Sequence, residues 1–268
     1  MIRRRGFRGL TRRAAILCVA RFPMKALGID IGGSAMKGAP VDTRTGRLLS
    51  PPHRIPIHRG LSPKEGAKVV AAIAEHFSWS GPIGVGFPGA IEGGHIRTSA
   101  NLHPGFVDAD GSRLFGKASG CPVALINDAA AAGRAEMKFG AGRGFNGKTL
   151  LLTLGTGVGT CLAQDGVVIP LELGHFPWKN GEGAEKYVAS SVKDRESLSW
   201  KVWGGRLNAY VLELERLLWP ERIIMGGGVS TEHARFFRFI RCRARLMPAR
   251  FRNEAGIVGA ALRGAQAG

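Results

Sequence analysis

Cysteine is scarce in this chain, acidic groups are few, and long apolar runs are missing. The four cysteines are Cys18, Cys121, Cys161 and Cys242; none forms a C-x-x-C pair or a tight cluster, which excludes a metal knuckle. A reduced, cytoplasmic setting is expected. No apolar stretch approaches the length of a membrane span. Glycine is plentiful, at 40 residues, but carries no repeat period, which excludes collagen-like structure. Asp and Glu number 20 against 38 Lys and Arg, a net charge of +18. Within 268 residues, 44% hydrophobic and 22% charged, there is material for one large or two smaller globular domains.

The charge is uneven. Residues 1–23 hold seven arginines and residues 235–252 hold seven more, with no acid in either stretch. Such a surface serves solubility or nucleic-acid affinity, or else an anionic substrate larger than a nucleotide, whose binding weakens with salt. On the second reading, Arg235–Arg252 would line a track for a polyanion. The apolar run Ala14–Ala20 behind the first arginines superficially resembles an export signal, but it is short and Arg21-Phe22-Pro23 is a poor cleavage site. Residues 1–23 are therefore expected to be a disordered basic extension, with Met24 as the working start.

Two glycine-rich turns each follow a short apolar strand. Asp30-Ile31-Gly32-Gly33-Ser34 follows Ala26–Ile29, and Gly155-Thr156-Gly157-Val158-Gly159 follows Thr149–Leu154. Glycines let backbone N–H groups converge on an anion. Neither turn is a G-x-G-x-x-G fingerprint, and no Gly-Lys-Ser/Thr follows the second. Two such turns can clamp a phosphate chain from both sides, with Lys37 adding a point charge and Asp30 holding Mg²⁺ through water. The competing readings are a turn aspartate and a plain hairpin. Asn127-Asp128 ends a third strand; Asp128 can act as general base toward a hydroxyl, and both residues also suit a helix cap. Glu172 and His175, three apart, can bind adjacent sugar hydroxyls. Glu185 reads by default as a surface helix residue.

Strands are predicted over 25–31, 36–41, 53–58, 83–87, 123–126, 149–154, 159–169 and 222–225. Helices are predicted over 63–77, from Asp128 to about Phe139, and over 182–192, 197–218 and 255–263. The alternation argues an α/β fold with mixed sheets, and the repeated strand–turn–strand opening argues two similar halves facing across a cleft. The expected division is 24–127 and 128–268, with the last helix packing back on the first half.

These residues resemble the sugar-kinase branch of the ROK family, over about Lys25 to Leu262. The carriers are Asp30–Lys37, Leu154–Thr160, Gly226-Gly227-Gly228-Val229-Ser230, Asn127-Asp128 and Glu172-Leu-Gly-His175. Leu198–Lys201, Leu218-Trp-Pro220 and Arg252–Ala261 bring it nearest to the polyphosphate-using glucokinases of that family. The resemblance implies an actin-like ATPase (ribonuclease H-like) fold. It implies transfer of a phosphate to the 6-hydroxyl of glucose with Mg²⁺, from inorganic polyphosphate, with ATP as a second donor and mannose as a second acceptor left open. An ATP-specific hexokinase acting on glucose, mannose or an amino sugar is the alternative. Gly32, Gly33, Ser34, Lys37, Gly155, Thr156, Gly157 and Gly159 would hold donor phosphates, and Gly227 and Gly228 the nucleoside or donor chain. Gly89, Asn101, Asn127, Glu172, His175 and Glu185 would bind the sugar. His175 is followed by Phe176–Ala184 without the family's cysteine cluster, so no zinc is expected. His103-Pro-Gly-Phe106 stands where those glucokinases carry a tryptophan, and Ser34 stands where threonine is usual. A homodimer is implied, with no membrane or nucleic-acid partner. A regulator of the same family would need a helix-turn-helix before the first glycine turn, for which 23 residues are too few.

Overall fold

The computed structural model of the protein describes residues 24–99 and 102–266. The expected basic extension 1–23 and the expected sugar ligand Asn101 lie outside the described residues. In chain order the first part runs β1 (Lys25–Ile31), β2 (Ala35–Asp42), β3 (Arg47–Leu48), β4 (His53–Pro56), α1 (Pro63–His76), β5 (Ile83–Phe87), β6 (Ile91–Glu92), β7 (His95–Ile96), α2 (Gly111–Ser119), β8 (Val123–Asn127) and α3 (Asp128–Phe139). The second part runs β9 (Thr149–Leu154), β10 (Val158–Gln164), β11 (Val167–Leu171), α4 (Glu185–Val188), α5 (Ser190–Arg195), α6 (Trp200–Leu218), β12 (Arg222–Gly226), α7 (His233–Phe236), β13 (Arg245–Pro248) and α8 (Ala255–Gly264).

Two sheets repeat one plan. The first has the order β3-β2-β1-β5-β8, with β4 also on β2; the second has β11-β10-β9-β12-β13. In each, an antiparallel hairpin (β1 with β2, β9 with β10) is extended by two parallel strands. The inner strands are mostly apolar, as sheets covered on both faces require, and all five residues of β5 are buried. Because the hairpin turns close the same end of both inner strands, the two glycine turns face each other.

Between the sheets lie α3 and α8, which pack on one another. Their alanines and glycines make this possible. A Cβ on Gly259 would overlap the Ala131 carbonyl, and one on Gly84 would overlap the Ala260 carbonyl. Small residues thus bring helix backbone onto helix and strand backbone. The layer is sealed by Ala26 and Val41 from the first sheet, Leu151 and Ile224 from the second, and Ile257, Val258 and Ala261 from α8.

Local signals account for most element ends. Ser62 and Glu65 form a capping box on α1 with Pro63 in its first turn, and the Ser62 N–H donates to Glu65 Oε2 at 2.8 Å. Some boundaries differ from expectation. The strand expected over 159–169 is a hairpin, β10 and β11, turned at Asp165 (φ 50°) and Gly166 (φ 79°). Asp-Gly is a favoured pair for a tight hairpin turn. The helix expected over 182–192 is broken at Ala189, because the Ser190 and Ser191 hydroxyls donate to the carbonyls of Gly155 (3.0 Å) and Thr156 (2.8 Å). The helix expected from 197 starts at Trp200, capped by Ser199. The strand expected over 53–58 ends at Pro56, and α2 and β13 were not anticipated.

Candidate active site

A cavity of about 250 Å³ opens between the two sheets, at the ends of β1, β8 and β9. It gathers Asp30, Gly32, Gly33 and Lys37 from the first turn, and Gly155, Thr156, Gly157 and Gly159 from the second. Gly89, Asn127, Asp128, Glu172, His175, Glu185, Gly227 and Gly228 complete the set of sequence-derived residues that line it. The turns nearly touch: a Cβ placed on Gly33 would stand 3.3 Å from Thr156 Oγ1. Ser34 is the exception. It is exposed and does not line the cavity, and its carbonyl accepts from the Ile57 N–H at 3.0 Å.

Asp30 sits at the end of β1, paired with Lys37 Nζ at 3.1 Å across the β1–β2 ladder. Lys37 also donates to the Asn253 carbonyl at 3.1 Å. Gly256, in the first turn of α8, lies so close that a Cβ there would overlap the Asp30 carboxylate. On this side of the cavity Arg252 was expected only as the end of the 235–252 track, and Asn253 and Gly256 had no expected role, nor had Thr98, Thr153 and Thr160 elsewhere in its wall. Gly256 had a signal, since it belongs to the small-residue run that lets α8 approach the sheet. Of the arginines in 235–252, Arg252 alone lines this cavity among the described residues. Others are occupied: Arg235 lies over Trp200, Arg238 over Phe239, and Arg243 over Trp219.

Asn127 and Asp128 divide the capping and chemical roles. Asn127, 5% exposed, caps α3 by accepting from the Ala130 N–H at 2.9 Å, and donates to the Gly89 carbonyl at 3.1 Å and Glu172 Oε1 at 3.5 Å. Asp128 opens α3 and accepts from the Ala129 N–H at 2.7 Å. It keeps some solvent contact through the cavity, yet protein surrounds its carboxyl group. That burial pushes its pKa up to about 7, helped by the negative charge of Asp30 and, less, of Glu172, and opposed by the Ala129 N–H. A carboxylate poised near neutral pH suits a general base.

On the opposite wall, His175 Nδ1 lies 3.5 Å from Glu172 Oε2 and Nε2 lies 3.7 Å from Glu185 Oε1. Glu185 accepts from the Val158 N–H at 3.3 Å, and a Cβ on Gly157 would crowd its carboxylate as placed. It is therefore a cleft residue and not a surface one. Burial, foremost, and the charge of Glu185 raise the Glu172 pKa, while His175 lowers it. The Tyr210 hydroxyl of α6 donates to the Leu173 carbonyl at 2.8 Å and fixes this segment from behind.

A second concavity, of about 820 Å³, shares Gly33, Thr156 and Glu185 with the first and continues past Arg59, Lys186, Ser191, Arg195 and Arg206. Glu182 and Glu196 also line it, pairing with Lys186 and with Arg195 and Arg206. No helix among the described residues is long and apolar enough to cross a membrane.

The model of the ROK family matches residues 26–181. The polyphosphate glucokinase of Mycobacterium tuberculosis (strain CDC 1551 / Oshkosh) is 36% identical over 237 residues, covering 88% of this chain and 89% of that protein. The inorganic polyphosphate/ATP-glucomannokinase of Arthrobacter sp. strain KM superposes with a TM-score of 0.87 at 38% identity, covering 91% of this chain and 99% of that one. A ROK family glucokinase from Streptomyces griseus, solved with glucose and AMPPNP, gives a TM-score of 0.78 at 21% identity, covering 90% and 99%. The fold is that of the actin-like ATPases, with two similar α/β halves around the cleft.

Proposed function

The chain belongs to the ROK family, and on that premise we propose that it phosphorylates glucose at the 6-hydroxyl with inorganic polyphosphate, and with ATP as a second donor. The observation that carries the chemistry is the placing of Asp128, with its pKa near 7, between a pair of glycine turns and the Glu172–His175–Glu185 wall. The polymeric donor is supported by relatives described as polyphosphate glucokinases and as a polyphosphate/ATP-glucomannokinase.

In this reading Glu172, His175, Glu185 and Asn127 hold the sugar with its 6-hydroxyl toward Asp128. Asp128 accepts the hydroxyl proton as the oxygen attacks the terminal phosphorus. Gly32 and Gly155 close the two turns, their N–H groups donating to the Ala35 and Gly157 carbonyls (3.0 Å each), and the backbone N–H groups of Gly33, Thr156 and Gly157 hold the donor phosphates in line, with Lys37 and Arg252 supplying charge. The single carboxylate of Asp30, facing the turns, fits Mg²⁺, which keeps most of its waters and binds through one or two carboxylates plus phosphate oxygens. Bound there, the ion would neutralise charge on the donor phosphates. Residues 24–127 and 128–268 act as two domains whose closure excludes water, a competing acceptor.

The longer donor leaves the cleft through the concavity holding Arg59, Ser191, Arg195 and Arg206, since this space adjoins both phosphate turns. The arginine-rich stretch 235–252 then contributes through Arg252 rather than as a track.

Product identity tests the reading. Phosphorus NMR of the sugar product is expected to show a phosphomonoester coupled to the two protons of one methylene carbon, as at the 6-position. Splitting by a single proton would place the phosphate on a ring carbon and refute the acceptor assignment.

A further inference from the structure

Glu136 is a carboxylate of 0% exposure that the transfer chemistry does not use. It lies on α3, about two turns beyond Asp128. Its side chain accepts three backbone N–H groups: Ala141 (2.8 Å) and Arg250 (3.1 Å) on Oε2, and Phe251 (2.7 Å) on Oε1. Its main-chain carbonyl accepts from Gly140 (2.9 Å) and Gly142 (3.0 Å). A buried carboxylate is costly unless its oxygens are satisfied, and here both are. What the charge adds over an apolar side chain is a fixed placing of two successive amides, Arg250 and Phe251.

Those amides immediately precede two cleft residues. Arg252 adopts φ 50°, a left-handed conformation that a non-glycine residue keeps only where its surroundings enforce it. Asn253 gives its carbonyl to Lys37, which pairs with Asp30. Past them α8 begins, with Gly256 against Asp30.

We propose that Glu136 is a positioning residue for the donor side of the active site. Its carboxylate holds the 250–253 segment in the turn that presents Arg252 to the cleft and the Asn253 carbonyl to Lys37. The acceptor base Asp128 and the donor segment are thereby referenced to one rigid helix. This rests on the reading of Asp30, Lys37 and Arg252 as donor-phosphate residues.

Glu136→Gln keeps the shape but replaces one acceptor oxygen with an NH₂ that meets a backbone N–H. The expected result, in the full chain, is a rise of about tenfold in KM for both polyphosphate and ATP, the cost of one charged hydrogen bond, with KM for glucose within about twofold of wild type. Hydrogen exchange without donor should show faster exchange at Arg250 and Phe251 in the variant. Glu136→Asp withdraws both oxygens while keeping the charge, and should give the same split if the Gln variant does not fold. Unchanged KM values, or donor and glucose KM rising together with a lower Tm, would show Glu136 to be merely structural and overturn the proposal. Failure of the underlying reading appears differently, as a wild-type chain that transfers phosphate from neither donor, and would overturn both.

Discussion

Asp128→Asn separates chemistry from binding and from stability. The substitution keeps the acceptor for the Ala129 N–H but cannot take a proton. Loss of a general base lowers kcat by about 10² to 10⁴-fold, while glucose affinity should change little. In the wild-type chain the base is ionised by half at about pH 7, so kcat/KM for glucose should fall about tenfold for each pH unit below that midpoint. Stability carries the opposite sign. A carboxyl group whose pKa is higher folded than unfolded contributes stability that is complete below the unfolded value and is lost as pH rises through the folded one. A rise from 3.8 to about 7 corresponds to at most about 4 kcal/mol. The Asn variant escapes that loss, so its Tm should exceed the wild-type Tm at pH 8 and match it near pH 4. Glucose 6-phosphate formation, coupled to NADPH production, reads the rate, and thermal melts at both pH values read the stability. An activity midpoint near pH 4, or an Asn variant that turns over at the wild-type rate, would refute the assignment.

Three further outcomes are expected. His175→Ala removes the group between Glu172 and Glu185 and should raise KM for glucose by about tenfold or more without moving donor KM; equal effects on both would place it outside the sugar site. Arg59→Glu combined with Arg195→Glu should raise KM for long-chain polyphosphate several-fold and spare ATP, with the difference shrinking as salt rises; parallel changes in both donors would dismiss the exit path. Gly84→Ala forces a Cβ onto the Ala260 carbonyl and should cost on the order of 3 kcal/mol, seen as a denaturant midpoint shift; a neutral result would contradict the close packing of α8 on β5.

The parts of the site made of backbone were the most legible in sequence. Glycine turns after apolar strands state their purpose locally, and Asn127-Asp128 joins a strand end to a helix start in two residues. Glu185 was a cleft candidate only through family resemblance, because its local pattern is that of a surface helix. What moves it is Ser190 and Ser191, whose hydroxyls seek the carbonyls of the second turn and break the helix. The place of Arg252 and Asn253 in this cleft was not readable for another reason. They follow a segment whose Arg250 and Phe251 amides donate to Glu136, contacts more than 100 residues apart in sequence. Charge clustering says nothing of which way each arginine faces, since sequence spacing cannot tell an arginine stacked on Trp200 from one facing the cleft. The doubling of β10 and β11 was written in Asp165-Gly166, but the apolar content of Val167–Leu171 masked the turn.

The most direct test is glucose 6-phosphate formation with glucose and Mg²⁺, comparing long-chain polyphosphate with ATP at matched phosphate concentration. The account predicts turnover with polyphosphate at least equal to that with ATP, and loss of both in Asp128→Asn. Turnover with ATP alone would contradict the polymeric-donor claim, and polyphosphate turnover that survives in Asp128→Asn would contradict the mechanism.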